Sequence, residues 1–250
     1  MAKKMLLDAD KYLKTGSHIG TVFKTGEMKR FVYKTRKDGL KVFDIQLIDE
    51  RISIAAEFLA RYPQEKIVAV SRKLYGQEPA KQFAEAIHCK SVTGRFVPGT
   101  FTNTKSQDFI ETSAVIVTEP EADAQAISEA TIVKVPVVAL ASTNNSLKNI
   151  DFVIPINNKG RKSLALAYWL LAREILKIKG EISKDADFTK TIEDFEYKMK
   201  EGSEDGEGEE HFEQEGGYRP RRQFGRFDSK RRPDGRRGPQ RGRSSGRQRR

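Results

Sequence analysis

Four short runs of consecutive apolar residues constrain this chain more than any other feature: Ile67-Val68-Ala69-Val70, Ala114-Val115-Ile116-Val117, Val137-Val138-Ala139-Leu140 and Phe152-Val153-Ile154. None alternates with period two, so each predicts a strand buried on both faces, the habit of parallel sheets. A weaker fifth run lies near Ser91-Val92-Thr93. Segments with helical spacing separate the runs, and this alternation predicts an α/β fold with a mainly parallel sheet covered by helices on both faces. Ile48, Ile52, Ala55, Leu59 and Tyr62 form one apolar stripe that Pro63 stops. Ala80, Phe83, Ala84 and Ile87 repeat the pattern after Pro79, as do Ala122, Ala126, Ile127 and Ala130 after Pro120. Both prolines are expected in first helical turns, where no amide hydrogen bond is lost. Leu164, Tyr168, Leu171, Ile175 and Ile178 make the seam of a long helix ended by Gly180, and Trp169 and Leu170 widen it enough to predict burial between neighbours.

Ahead of the sheet, Phe31–Arg36 and Leu40–Ile45 flank Lys37-Asp38-Gly39, a hairpin signal whose exposed face carries Lys34, Arg36, Lys37 and Lys41. The net charge of +11 is uneven in the same sense. Residues 1–41 hold 11 Lys/Arg against 4 Asp/Glu, residues 42–200 hold 21 of each, residues 201–218 hold 8 acids and no Lys/Arg, and residues 219–250 hold 14 bases against Asp228 and Asp234. A neutral middle between two cationic ends predicts contact with a polyanion. Residues 201–250 contain only Phe212, Tyr218, Phe224 and Phe227 as apolar or aromatic residues, too few to offset ordering entropy. The organisation expected is therefore a basic N-terminal helix and β-hairpin over 1–45, an α/β core over 46–180 and a linker with room for a short helix around Ile192, Phe195 and Met199 over 181–200. An acidic disordered segment over 201–217 and an Arg/Gly-rich disordered tail over 218–250 follow. In the tail, Arg221, Arg222, Arg226, Arg231, Arg232, Arg236, Arg237, Arg241 and Arg243 are suited to non-specific contact with RNA phosphates and bases.

Many chemistries lack their residues. The single cysteine, Cys89, excludes an internal disulfide framework and a multi-cysteine zinc site, and suits a reducing compartment. His88 beside it points elsewhere on a helix, so Cys89 reads as a small buried hydrophobe. His18, His88 and His211 have no metal-ligand spacing, and Asp8 with Asp10 reads as a helix N-terminal charge pair. After the first strand there is no G-x-G-x-x-G and no G-x-x-x-x-G-K-[ST], and no G-x-S-x-G turn after a strand presents a serine nucleophile. Neither a signal peptide's apolar region nor a membrane span of about 20 apolar residues appears, so a soluble, intracellular protein without a membrane partner is expected. The loops Ser71-Arg72-Lys73, Thr118-Glu119-Pro120, Ser142-Thr143-Asn144-Asn145 and Asn157-Asn158-Lys159-Gly160 follow strands, where doubly wound sheets place ligands. Their hydroxyls and amides can hold a small molecule or cap helices. The runner-up reading is accordingly a cytosolic nucleotide-dependent enzyme using the strand-end crevice, and a free RNA-binding adaptor is a third. The main reading has no catalytic residue, no metal and no cofactor.

Two clusters carry recognition chemistry. Thr15-Gly16-Ser17-His18-Ile19-Gly20-Thr21, followed by Lys24, Met28, Lys29, Arg30 and Tyr33, combines glycines that permit close backbone approach with donors, cations and an aromatic ring able to stack on a splayed base. A turn ending a short helix explains its glycines equally well. In Gly94-Arg95-Phe96-Val97-Pro98-Gly99-Thr100-Phe101-Thr102-Asn103, Pro98-Gly99 suits a type II turn, and Phe101 is expected at the surface or against a partner.

These motifs resemble the universal small-subunit ribosomal protein two family in its archaeal and eukaryotic branch, whose eukaryotic members are also called laminin-receptor-like ribosomal proteins. The matching stretches are G-S-H-I-G from Gly16, M-K-R-F-V-Y-K-T-R-K-D-G from Met28, G-R-F-V-P-G-T-F-T-N from Gly94, V-T-E-P-E-A-D-A-Q-A-I-S-E-A from Val117 and D-F-V-I-P-I-N-N-K-G-R-K-S-L-A-L-A-Y-W-L-L-A-R-E from Asp151. The bacterial branch inserts a long helical hairpin where Tyr62-Pro63-Gln64-Glu65-Lys66 here leads directly into the first core strand. The resemblance implies a flavodoxin-like three-layer sandwich without enzymatic activity, a monomer within the cytoplasmic ribosome that contacts small-subunit rRNA and neighbouring small-subunit ribosomal proteins. It carries RNA-facing or interface positions onto Gly16, His18, Gly20, Met28, Arg30 and Tyr33, and onto Arg95, Phe96, Pro98, Gly99, Thr100, Phe101, Thr102 and Asn103. Lys24, Lys29, Lys34 and Arg36 join them on charge.

Overall fold

In the computed structural model, which describes residues 5–183 and 187–198, the elements follow the expected alternation. Helix α1 (Ala9–Thr15) precedes the hairpin β1 (Val32–Thr35) and β2 (Lys41–Phe43), then come α2 (Ile45–Leu59), β3 (Ile67–Ser71), α3 (Leu74–Ile87), β4 (Lys90–Thr93), β5 (Ala114–Val117), α4 (Ala124–Ile132), β6 (Val137–Ala141), β7 (Phe152–Pro155) and α5 (Arg161–Lys179). All four long apolar runs and the weaker fifth are strands of one parallel sheet of order β4-β3-β5-β6-β7. The chain steps outward from β3 to β4 and then returns past β3 to β5, so the order reverses between β3 and β5, as in a flavodoxin-like sheet.

Because side chains alternate across a strand, each apolar run supplies two cores. Ile67, Ala69, Ala114, Ile116, Val138 and Leu140 face the larger core with α2, α3 and α5. Val68, Val70, Val115, Val117, Val137 and Ala139 face a smaller core with Ala126, Ile127 and Ala130 of α4. A nine-residue helix cannot cover that face alone. Phe96 and Phe101 complete it, their rings edge to face with centroids 5.0 Å apart. The glycine-rich loop after β4 thus occupies the place of a helix.

The stripe Ile48, Ile52, Ala55 and Leu59 is fully buried on α2, which ends at Leu59, before Pro63. On α5, Leu164, Tyr168, Leu171 and Ile175 are buried, whereas Ile178 is exposed because the last turn runs past the core. Gly180 ends α5 in the left-handed conformation at φ +79°. Two proline positions differ from expectation. Pro79 lies inside α3, which begins at Leu74, because Gly76 lets the first turn settle on the strand ends. A Cβ at Gly76 would come within 2.4 Å of the Ser71 hydroxyl and 2.6 Å of Thr118 Cγ2. Pro120 stands in a turn before α4, whose first regular residue is Ala124.

The N-terminal segment is stitched to the core by one buried carboxylate. Asp49 of α2 accepts the Leu6 amide at 3.0 Å and the Tyr12 hydroxyl at 2.7 Å, while Arg173 of α5 donates to the Leu6 carbonyl at 2.9 Å. At the other end, Phe195 is fully buried after a 3₁₀ turn, Ile192–Asp194. The Phe188 ring lies tilted against Trp169, and Lys190 donates to Gln82 and Glu85 of α3, so the described part of 181–200 packs as a strap across α5 and α3. Met199 and the segments expected over 201–217 and 218–250 lie outside the described residues. No helix among the described residues is long and apolar enough to cross a membrane.

Candidate nucleic-acid interface

The first cluster begins at the end of α1. Gly16 takes the left-handed conformation at φ +69°, its amide bonded to the Leu13 carbonyl and the Ser17 amide to Tyr12, so it caps the helix. Gly20 is buried against Thr143 in the loop after β6: a Cβ there would lie 2.5 Å from Thr143 Cγ2 and 3.1 Å from the Lys41 carbonyl. The close approach that these glycines permit is therefore used within the chain, by a helix cap and by Thr143. His18 is half-buried, with its backbone carbonyl accepting the Phe43 amide at 2.8 Å. Met28 is fully buried in the larger core. Its place in the interface set is corrected to a packing role for the side chain.

What this segment exposes is cationic and aromatic. Lys24, Lys29, Arg30, Lys34 and Arg36 are exposed, and Tyr33 is 69% exposed with the Lys34 ammonium 5.9 Å from its ring centre. Sequence reasoning missed Phe23, which at 78% is the most exposed large apolar side chain described. Its carbonyl accepts the hydroxyls of Thr21 and Thr143, each at 2.9 Å, and the Thr25 amide donates to the Thr143 carbonyl, so the ring is presented from a pinned turn. A phenylalanine between Val22 and Lys24 in a threonine-flanked loop was the available signal. The hairpin connection is longer than a two-residue turn: the Arg36 amide bonds to Leu40, and Gly39 alone adopts positive φ, +84°.

The second cluster is split by burial. Phe96 and Phe101 are core residues at 7% and 4% exposure, which corrects the expectation that Phe101 is held at the surface or against a partner. The uncovered face beside α4 is the physical reason. Thr100 is buried, its hydroxyl donating to the Val97 carbonyl at 2.7 Å. The expected Pro98-Gly99 turn forms, with Gly99 at φ +97° and the Thr100 amide bonded to Val97. Arg95, Pro98, Thr102 and Asn103 stay exposed at its tip.

The carboxylate that holds this loop, Glu129 of α4, was not singled out from the sequence. It accepts the Gly99 amide at 2.8 Å, the Phe101 amide at 3.1 Å, the Thr102 hydroxyl at 3.3 Å and the Gln125 amide at 2.9 Å. Burial pushes its pKa up, but these donors together outweigh burial and hold it below the usual glutamate range. Among the described residues no hydrogen bond or ion pair joins this loop to the first cluster. The two sit at opposite flanks, beside β4 and over the ends of β6 and β7.

Between the flanks, side chains of the chain itself bond across the switch point. Asp123 accepts the Arg72 amide at 2.8 Å and the Glu119 amide at 3.1 Å, taking the donors an anionic ligand would use. Burial pushes its pKa up to about 6 despite these bonds. Lys73 pairs with the buried Glu119, Gly76 closes over Ser71 and Thr118, and Asn158 donates to the Leu140 carbonyl and to Asn145. His88 caps α3 at φ +56° and is exposed, whereas burial pushes the Cys89 thiol up to about 12.

The fold and these surfaces define a class: a flavodoxin-like scaffold with a carboxylate bonded across its switch point and a cationic, aromatic surface along one flank. The family model for ribosomal protein S2 matches residues 109–177. A relative from Staphylothermus marinus, described as "Small ribosomal subunit protein uS2", is 50% identical over 197 residues, covering 79% of this chain and 90% of its own length. The chain belongs to the ribosomal protein S2 family, in its archaeal type.

Proposed function

We propose that this chain is a non-catalytic, structural constituent of the small ribosomal subunit in the cytoplasm, present as a monomer in the particle and binding small-subunit rRNA and neighbouring ribosomal proteins. The observation that carries the RNA reading is the pairing of the exposed rings of Phe23 and Tyr33 with Lys24, Lys29, Arg30, Lys34 and Arg36 in the segment that concentrates positive charge. Cations of this kind fix register on phosphates, and the rings stack on unpaired bases. Arg95, Pro98, Thr102 and Asn103 form a second, smaller contact at the other flank, held in shape by Glu129. The buried members of the interface set, Gly20, Met28, Phe96, Thr100 and Phe101, act by shaping these surfaces. The Arg/Gly-rich tail adds sequence-independent affinity, and the eight acids before it screen it until rRNA competes.

Sucrose-gradient sedimentation tests the proposal. Co-migration of the chain with small subunits is expected, with Arg95→Glu reducing incorporation while the purified variant melts as the parent does. A predominantly free pool, or catalytic turnover by the purified chain, would contradict it.

A further inference from the structure

Arg51 was not marked by the sequence, and its surroundings assign it a task. It sits half-buried on α2 with its guanidinium 5.2 Å from the Phe31 ring centre and 5.3 Å from that of Phe152, while Arg30 lies 4.7 Å from the Phe31 centre. Two guanidinium groups thus lie over aromatic rings, and neither has an ion pair or a hydrogen bond among the described residues. Both border a surface hollow of about 490 Å³ beside the edge strand β7, which is also lined by Glu27, Leu147, Ile150 and Val153. The acids there are half-committed. Glu27 accepts the Leu147 amide through Oε2 at 2.7 Å, and Asp151, also at the rim, accepts the Val137 amide through Oδ2 at 2.8 Å. One oxygen of each carboxylate is left to accept from a ligand.

We propose that this hollow receives a single unpaired guanine nucleotide of the small-subunit rRNA, a reading that rests on the function proposed above and adds a specific subsite to it. The volume lies in the range of ligand sites, roughly 300–1,000 Å³, well beyond what a bare phosphate needs. Leu147, Ile150 and Val153 offer apolar surface to a base's face. Free carboxylate oxygens select a base edge rich in N–H donors, which guanine has and uracil lacks, and the guanidinium forks answer its phosphate. RNA is favoured over a protein segment because Glu27 and Arg30 belong to the same cationic stretch as Lys24, Lys29 and Tyr33.

The test is chemical probing of small-subunit rRNA with a guanine-selective glyoxal reagent, in complex with the full chain or with Arg51→Met, which keeps the bulk between the two phenyl rings. The parent chain is expected to protect one unpaired guanine, and Arg51→Met to restore its reactivity about fivefold or more, leaving protections that depend on Lys34 and Arg36 in place. Arg30→Met, at an exposed position, should give the same result if Arg51→Met lowers the melting temperature. Guanine reactivities unchanged in both variants would overturn the proposal. So would an unchanged footprint accompanied by loss of a cross-link to a neighbouring protein, which would make the hollow a protein seat. Absence of any footprint with the parent chain would instead remove the rRNA-binding reading itself.

Discussion

Replacing Glu129 by glutamine probes how the chain builds its second surface. Glutamine keeps the length and one acceptor oxygen but turns the other position into a donor. Either the Gly99 amide with its Gln125 partner, or the Phe101 amide with the Thr102 hydroxyl, then faces an NH₂ group. The side chains can turn to other partners, whereas one backbone amide is left without an acceptor, at a cost of about 1–3 kcal/mol. Glu129→Ala strands both amides and should cost roughly twice that. Urea unfolding measures the difference, and amide hydrogen exchange locates it at Gly99 and Phe101. The pH dependence has a definite sign. Since the folded pKa of Glu129 is lowered, its stabilisation is present above the ordinary glutamate range and is lost as pH falls through the lower folded value, so the gap between parent and Glu129→Gln must narrow in acid. A difference under about 0.5 kcal/mol at neutral pH, with Gly99 and Phe101 protected as before, would refute the claim that this carboxylate holds the loop.

Gly20→Ala places a methyl group against Thr143 and should destabilise by about 1–3 kcal/mol, with partial recovery on adding Thr143→Ser, which removes the Cγ2 contact; equal melting of the parent and the single variant would show that the loop can give way. Asp123 has the opposite sign to Glu129: with its folded pKa raised to about 6, the parent gains stability relative to Asp123→Asn as pH falls from 7 towards 4, and a urea-midpoint gap that shrinks over that range would contradict the burial argument. Deleting residues 201–250 should flatten the salt dependence of rRNA binding by a log-log slope of roughly 4–5 if about six of the 14 bases meet phosphates, and an unchanged slope would remove the tail from the interface. Neutralising only the eight acids should tighten binding, and equal affinity would discard the screening role.

The sheet was legible because strands buried on both faces have little freedom of composition: Ile67–Val70 and Ala114–Val117 read directly as β3 and β5. Pro79 misled because its neighbours promised a first turn, whereas helix α3 starts earlier so that Gly76 can rest on Ser71 and Thr118, a tertiary contact about which local spacing is silent. The interface was legible in its charges and partly illegible in its aromatics. Phe101 and Phe23 both stand beside polar residues in glycine-bearing loops, yet one is buried under α4 and the other projects outward. Only the length of α4, too short for the face it covers, decides between them. Arg51 was invisible for a related reason, since Phe31 and Phe152 reach it from elements far apart in the chain.

Reversing charge on the hairpin tests the central claim most directly. Affinity of the full chain for small-subunit rRNA is measured against salt concentration, with Lys34→Glu/Arg36→Glu alongside the parent. The account predicts weaker binding and a log-log slope shallower by about 1.5, the loss of two phosphate contacts, with an unchanged melting temperature. Superimposable lines for the two proteins would contradict it.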